Sequence, residues 1–185
     1  MKKIFFIAII INGFFFSAFA QKTTVIEIPK MPVDTVSKKI TYINVVQQTG
    51  SKDTLYNRAL HWINLFFKNP QEVTKTRDKE NGKIEGIYRF KVYNTPLKDG
   101  TRTEAGIVSY TFIIECKENR YRYKITDFNL KGMSYFPLER WLDKKDLSYI
   151  PEWDNYITQT DQYIQDFIKS LKKRMLEIKV VKDNW

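Results

Sequence analysis

The sequence predicts a two-layer α+β domain, an antiparallel sheet of about five strands with two helices packed on one of its faces. Three observations carry that expectation. Two segments, Ser51 to Asn69 and Asp154 to about Leu176, repeat their apolar residues at a helical period and so present one apolar face each. One segment before the first helix and four after it read as strands, most of them alternating apolar and polar residues. Asn81-Gly82 and Glu118-Asn119 supply turn chemistry between successive strands, which favours antiparallel neighbours. The order is therefore strand, helix, four strands, helix, and two one-faced helices bury their apolar surface by lying on one face of the sheet.

In chain order, residues 21–39 contain Pro29 and Pro32 and little periodicity, and read as an extended lead-in with a short strand at Val25 to Ile28. Ile40 to Gln47 is strand-like, and Gln48-Thr49-Gly50 turns it into the first helix. Ser51 is a natural N-cap, because its hydroxyl can accept from a free N–H of the first turn. Leu55, Ala59, Trp62, Ile63 and Phe66 form one helical face, widened by Tyr56, Leu60 and Phe67. Asn69-Pro70 is read as the helix stop, since proline disfavours helical geometry at the residue before it.

Glu72 to Asp78 is a weaker, more polar strand near an edge. Lys83 to Asn94 alternates Ile84, Gly86, Tyr88, Phe90 and Val92 with Glu85, Arg89 and Lys91. After a loop at 95–103, Glu104 to Cys116 is the most apolar strand. Arg120 to Leu130 alternates Tyr121, Tyr123 and Ile125 with Arg122, Lys124 and Thr126, and the change of parity at Phe128 predicts a bulge. Residues 132–153 form an irregular aromatic stretch in which Pro137 to Leu142 suits a short helical turn. In the last helix, within 154–185, Tyr156, Ile157, Thr160, Ile164, Phe167, Ile168, Leu171 and Met175 make the apolar face.

Charge and leader bound the setting. The 185-residue chain carries a formal net charge of +10. Lys2 and Lys3, the apolar run Ile4 to Phe16 and Ala18-Phe19-Ala20 have the three parts of a signal peptide, so residues 1–20 are expected to be removed and the protein exported, to the periplasm or beyond. No later run is long and apolar enough for a transmembrane segment. The remaining positive charge points to anionic partners, an acidic envelope protein, a glycan or an anionic lipid surface, and only weakly to nucleic acid. Cys116 is the sole cysteine, so no internal disulfide is possible.

The segments GSKDTLYNRALHW (Gly50 to Trp62) and RDKENGKIEG (Arg77 to Gly86), behind such a leader, resemble the exported bacterial family of domains of unknown function described as having a TATA-binding-protein-like fold. The resemblance covers about residues 40–131. It implies that fold and an envelope or secreted location, and it brings no activity and no catalytic residues.

The residues themselves suggest no catalytic set, no cofactor and no metal site. His61, the only histidine, falls on the helix side opposite Trp62 and Phe66, facing solvent. One histidine and one cysteine do not make a zinc site of ordinary composition. Asp143 and Asp146 lie in a lysine-rich loop that reads as solvated rather than as a calcium site. The remaining candidate is the sheet face away from the helices, where Arg89, Lys91, Arg122 and Lys124 share one parity. That face reads as a solvated surface or as a site for an acidic partner, and the expected function is non-catalytic binding. The alternative is a small hydrolase or glycan-active enzyme using carboxylates near the aromatic stretch, which requires a deep pocket holding two acids. A DNA-binding reading is rejected, because the domain occurs once rather than in tandem, the chain is read as exported, and fold alone does not carry function.

The signal motif makes one expectation directly measurable. N-terminal sequencing of exported material should begin at Gln21; a retained Met1, or a start well beyond Gln21, contradicts it.

Overall fold

A computed structural model describes residues 28–132 and 134–176. The expected leader, most of the proposed strand at Val25 to Ile28 and the tail after Leu176 lie outside the described residues. The elements run β1 (Tyr42–Gln47), α1 (Lys52–Phe66), α2 (Pro70–Val73), β2 (Thr74–Asp78), β3 (Lys83–Tyr93), β4 (Glu104–Lys117), β5 (Arg120–Leu130), β6 (Phe136–Pro137), a 3-10 turn (Leu138–Leu142) and α3 (Glu152–Leu176). The main strands are ordered β1-β5-β4-β3-β2 and paired antiparallel, with two-residue β6 added beside β5. The expected strand, helix, four strands, helix order is therefore present, with three short elements inserted.

Helix α1 starts as its cap dictates, with the Ser51 hydroxyl accepting from Thr54 N–H at 3.2 Å. It ends earlier than Asn69-Pro70 suggests. Phe67 leaves helical geometry (φ −99°, ψ 138°), and its ring stacks on Phe112 at 5.4 Å and tilts against Tyr88 at 4.7 Å. Pro70 then occupies the first turn of α2 instead of terminating α1, a place where its missing N–H costs nothing. As a result β2 begins only at Thr74, two residues later than the sequence suggests.

Gly82 (φ 66°) makes the β2–β3 turn, and a Cβ there would lie 2.5 Å from the Cys116 carbonyl oxygen. Gly86 sits opposite Phe112, and a side chain would collide with that ring at 2.4 Å. In β5 the expected bulge falls at Asp127 (φ 57°), where the pairing with β4 steps from Thr126 to Asn129 while β4 moves only from Thr111 to Ser109. The extra residue returns Phe128 to the core side.

The core lies between one sheet face and the two long helices. Tyr88, Phe90, Tyr110, Phe112, Tyr121 and Tyr123 turn towards the helices, and Trp62 and Phe167 meet edge-on at 4.8 Å in the seam between α1 and α3. All eight residues read as the apolar face of α3 are buried. Trp62 is 2% exposed, and its indole N–H donates to Ser170 Oγ at 3.0 Å. Part of the aromatic stretch also packs down, since Leu138, Trp141 and Trp153 are buried, while Tyr135, Leu147 and Ile150 are exposed. Cys116 is buried on the core side, and burial pushes its thiol up to about 12, a structural rather than a nucleophilic cysteine.

Trp62→Ala is expected to cost about 3–5 kcal/mol, because it removes a buried ring and strands a hydroxyl partner. His61, exposed on the next position, should tolerate alanine within about 0.5 kcal/mol. Denaturant titration of both variants checks this; similar costs contradict the assigned face.

Candidate functional site

The sheet face away from the helices is left uncovered over much of its area among the described residues. Ile43 (53% exposed) and Val45 (50% exposed) stand on it in the edge strand β1. The registers define its rows. One row runs Val45, Arg122, Glu115, Lys83, Asp78 across the five strands, and the next runs Ile43, Lys124, Ile113, Glu85, Thr76. The first alternates charge sign from strand to strand, so neighbours attract. Arg122 Nε donates to Glu115 Oε2 at 2.6 Å, and Lys83 pairs with Glu85 at 2.9 Å. These groups are solvent-accessible, and such pairs contribute little stability each.

The four cations read from the sequence all point to this face, but they form two sets. Arg122 and Lys124 lie in β5, and β4 separates them from Arg89 and Lys91 in β3. Arg89 stands opposite Ser109 and Arg122 opposite Glu115. That offset is about 20 Å along β4 at ~3.3 Å per residue. It exceeds the screening length of roughly 8 Å at physiological salt, so the two sets act independently. Carboxylates also answer two of the four, Lys91 pairing with Glu104 at 2.6 Å and Arg122 with Glu115. Lys124 faces the Asp34 turn. There, bonds from the Ser37 N–H and hydroxyl hold the Asp34 carboxyl below its usual range, with a smaller contribution from Lys124.

A further group of cations, which strand alternation alone does not single out, gathers at one corner of this face. Lys117 and Arg120 flank the Glu118-Asn119 turn and stand directly opposite one another, beside Arg122. Like charges in that position repel. Together with Val45, Glu115 and the Tyr121 segment they line a shallow depression of about 280 Å³ at the corner of the face. The signal was present, since a two-residue turn at Glu118-Asn119 forces its two flanking residues to pair.

The carboxylates near the aromatic stretch have structural partners. Glu139 accepts from Ile40 N–H at 2.7 Å, and Glu152 from Thr95 N–H at 2.6 Å. Asp161 accepts from the Tyr42 hydroxyl at 2.7 Å. Asp146 takes two bonds from Arg140, which with the Ser148 N–H hold its carboxyl down at about 2. The four depressions beside Val45, Trp62, Lys68 and Tyr93 hold none of these acids in their linings.

Comparison with known proteins agrees with this architecture. Two solved structures are similar in fold. One is a TBP-like protein from Parabacteroides distasonis, with a TM-score of 0.61 and 17% identity over 78% of this chain and 96% of that one. The other is a DUF4468 family protein from Bacteroides ovatus, with a TM-score of 0.64 and 13% identity over 81% of this chain and 92% of that one. At such identities the likeness concerns the fold alone. No curated protein matches the sequence. Residues 42–131, from the start of β1 to just past β5, match the model of the family described as "Domain of unknown function (DUF4468) with TBP-like fold".

Proposed function

We propose that this is an exported, non-catalytic binding domain that holds an acidic partner protein on the uncovered face of its sheet. The observation that carries this reading is the corner formed by Lys117, Arg120 and Arg122 beside Val45. There cations face each other across two strands without enough carboxylate to balance them, next to exposed aliphatic side chains. A free protein pays a small repulsion for that grouping, and a bound carboxylate-rich surface relieves it. Exposed Val45 and Ile43 give the same partner apolar area to bury. Export rests on the leader motif at residues 1–20. The enzyme alternative loses ground, because the carboxylates it needs are engaged in holding loops and helix ends in place.

The test separates site from net charge. Immobilised wild type, Lys117→Glu/Arg120→Glu and Lys169→Glu/Lys173→Glu are each used to capture acidic proteins from an envelope extract. The two variants change net charge equally, and the second pair lies exposed on α3, on the helix side. The same acidic species should bind wild type and the α3 variant, elute as salt rises, and be lost from the corner variant. Equal loss from both variants means that only overall charge matters and contradicts the reading.

A further inference from the structure

Strand β3 is covered on its outer edge for only part of its length. The pairing of β2 with β3 stops at Thr74 opposite Gly86, while β3 continues to Tyr93. Among the described residues no strand pairs with β3 on that side beyond Gly86. Which residues turn their backbone groups off the edge is settled at the far end. Asn94 N–H donates to the Thr103 carbonyl at 3.0 Å, on the β4 side. Tyr93 turns the other way. Its N–H donates to Gln159 Oε1 at 3.0 Å, and its carbonyl accepts from Gln159 Nε2 at 2.7 Å and Asn155 Nδ2 at 3.2 Å. The Gln159 carboxamide thus does for Tyr93 what a neighbouring strand would do. Backbone groups alternate sides residue by residue, so Lys91 and Arg89 also direct an N–H and a C=O off the edge, with no such cap among the described residues.

This bare stretch opens onto a trough of about 520 Å³ between β3 and α2, lined among others by Lys68, Val73, Lys75, Ile87 and Arg89. Glu72 is the one acid in the lining, and its backbone carbonyl accepts from Lys75 Nζ at 2.8 Å. Unpaired strand edges accept further strands through main-chain bonds, while flanking side chains select the sequence. Here the selecting side chains are cationic.

We propose that β3 at Arg89 to Lys91 accepts an extended acidic peptide segment of a partner protein, which adds to the sheet as a strand and lies over the trough towards α2. Its backbone pairs with Arg89 and Lys91, its carboxylates meet Lys68, Lys75 and Arg89, and Gln159 closes the site at Tyr93. This edge is separate from the Lys117 and Arg120 corner, which lies at the opposite end of β4, where it meets β5.

The probe is a synthetic seven-residue peptide alternating glutamate and valine, followed by fluorescence anisotropy. Lys91→Pro deletes one edge-facing N–H while leaving the β4 ladder intact, because that N–H points away from β4. Lys91→Ala keeps it. The peptide should bind wild type and Lys91→Ala alike and bind Lys91→Pro about tenfold more weakly. A peptide N-methylated at alternate residues should lose wild-type binding similarly, and this arm decides the matter if Lys91→Pro fails to fold. Lys117→Glu/Arg120→Glu should bind the peptide normally. Absence of binding to wild type, undiminished binding of the N-methylated peptide, or equal binding by Lys91→Pro and Lys91→Ala overturns the proposal. Loss confined to the corner variant does so too, and moves the peptide to the corner.

Discussion

Phe167 is the point on which the two layers close. Its ring meets Trp62 and Phe66 of α1 at 4.8 and 5.4 Å, and Tyr110 and Phe112 of β4 at 5.9 and 5.7 Å. One side chain from the last helix thus locks the first helix and the central strand together. The contact is long-range in sequence, so both helices depend on tertiary packing for their place in the fold. The helices provide enough apolar surface for one sheet face and none for the other. That shortage leaves an open face and strand edges that the described residues cover only in part.

Where apolar residues repeat with a clear period, the sequence was easy to read. The face of α3 from Tyr156 to Met175, the Asn81-Gly82 hairpin and the inward row of β4 all follow from spacing alone. The parity break before Phe128 announced a bulge, although which residue would take the left-handed conformation depended on the register with β4. Pro70 shows a limit of local reasoning, since a proline after a helix serves equally as a stop or as the first residue of another turn. The need to place the Phe67 ring between Tyr88 and Phe112 decided between them.

The candidate site was less legible than the fold because it depends on neighbours rather than on period. Alternation put Arg89, Lys91, Arg122 and Lys124 on one face, and all four are there. It says nothing about lateral distance, and β4 lies between the two pairs. Nor does it show which cations are answered by carboxylates from other strands, as Glu104 answers Lys91 and Glu115 answers Arg122. The pairing of β1 with β5, which brings Ile43 and Val45 beside the basic residues, joins segments far apart in the chain. The Gln159 cap on Tyr93 is likewise a long-range accident of packing that no local pattern announces. The family likeness supplies the architecture and leaves these surfaces to be assigned by chemistry.

The central claim is that the uncovered face of the sheet, and not the helical side, meets the partner. Lysine acetylation footprinting of the captured complex tests it most directly. Lys117 and Lys124 should become protected on binding, while Lys169 and Lys173 on α3 keep the reactivity they have in the free protein. Protection of the α3 lysines with Lys117 and Lys124 unchanged would contradict the account.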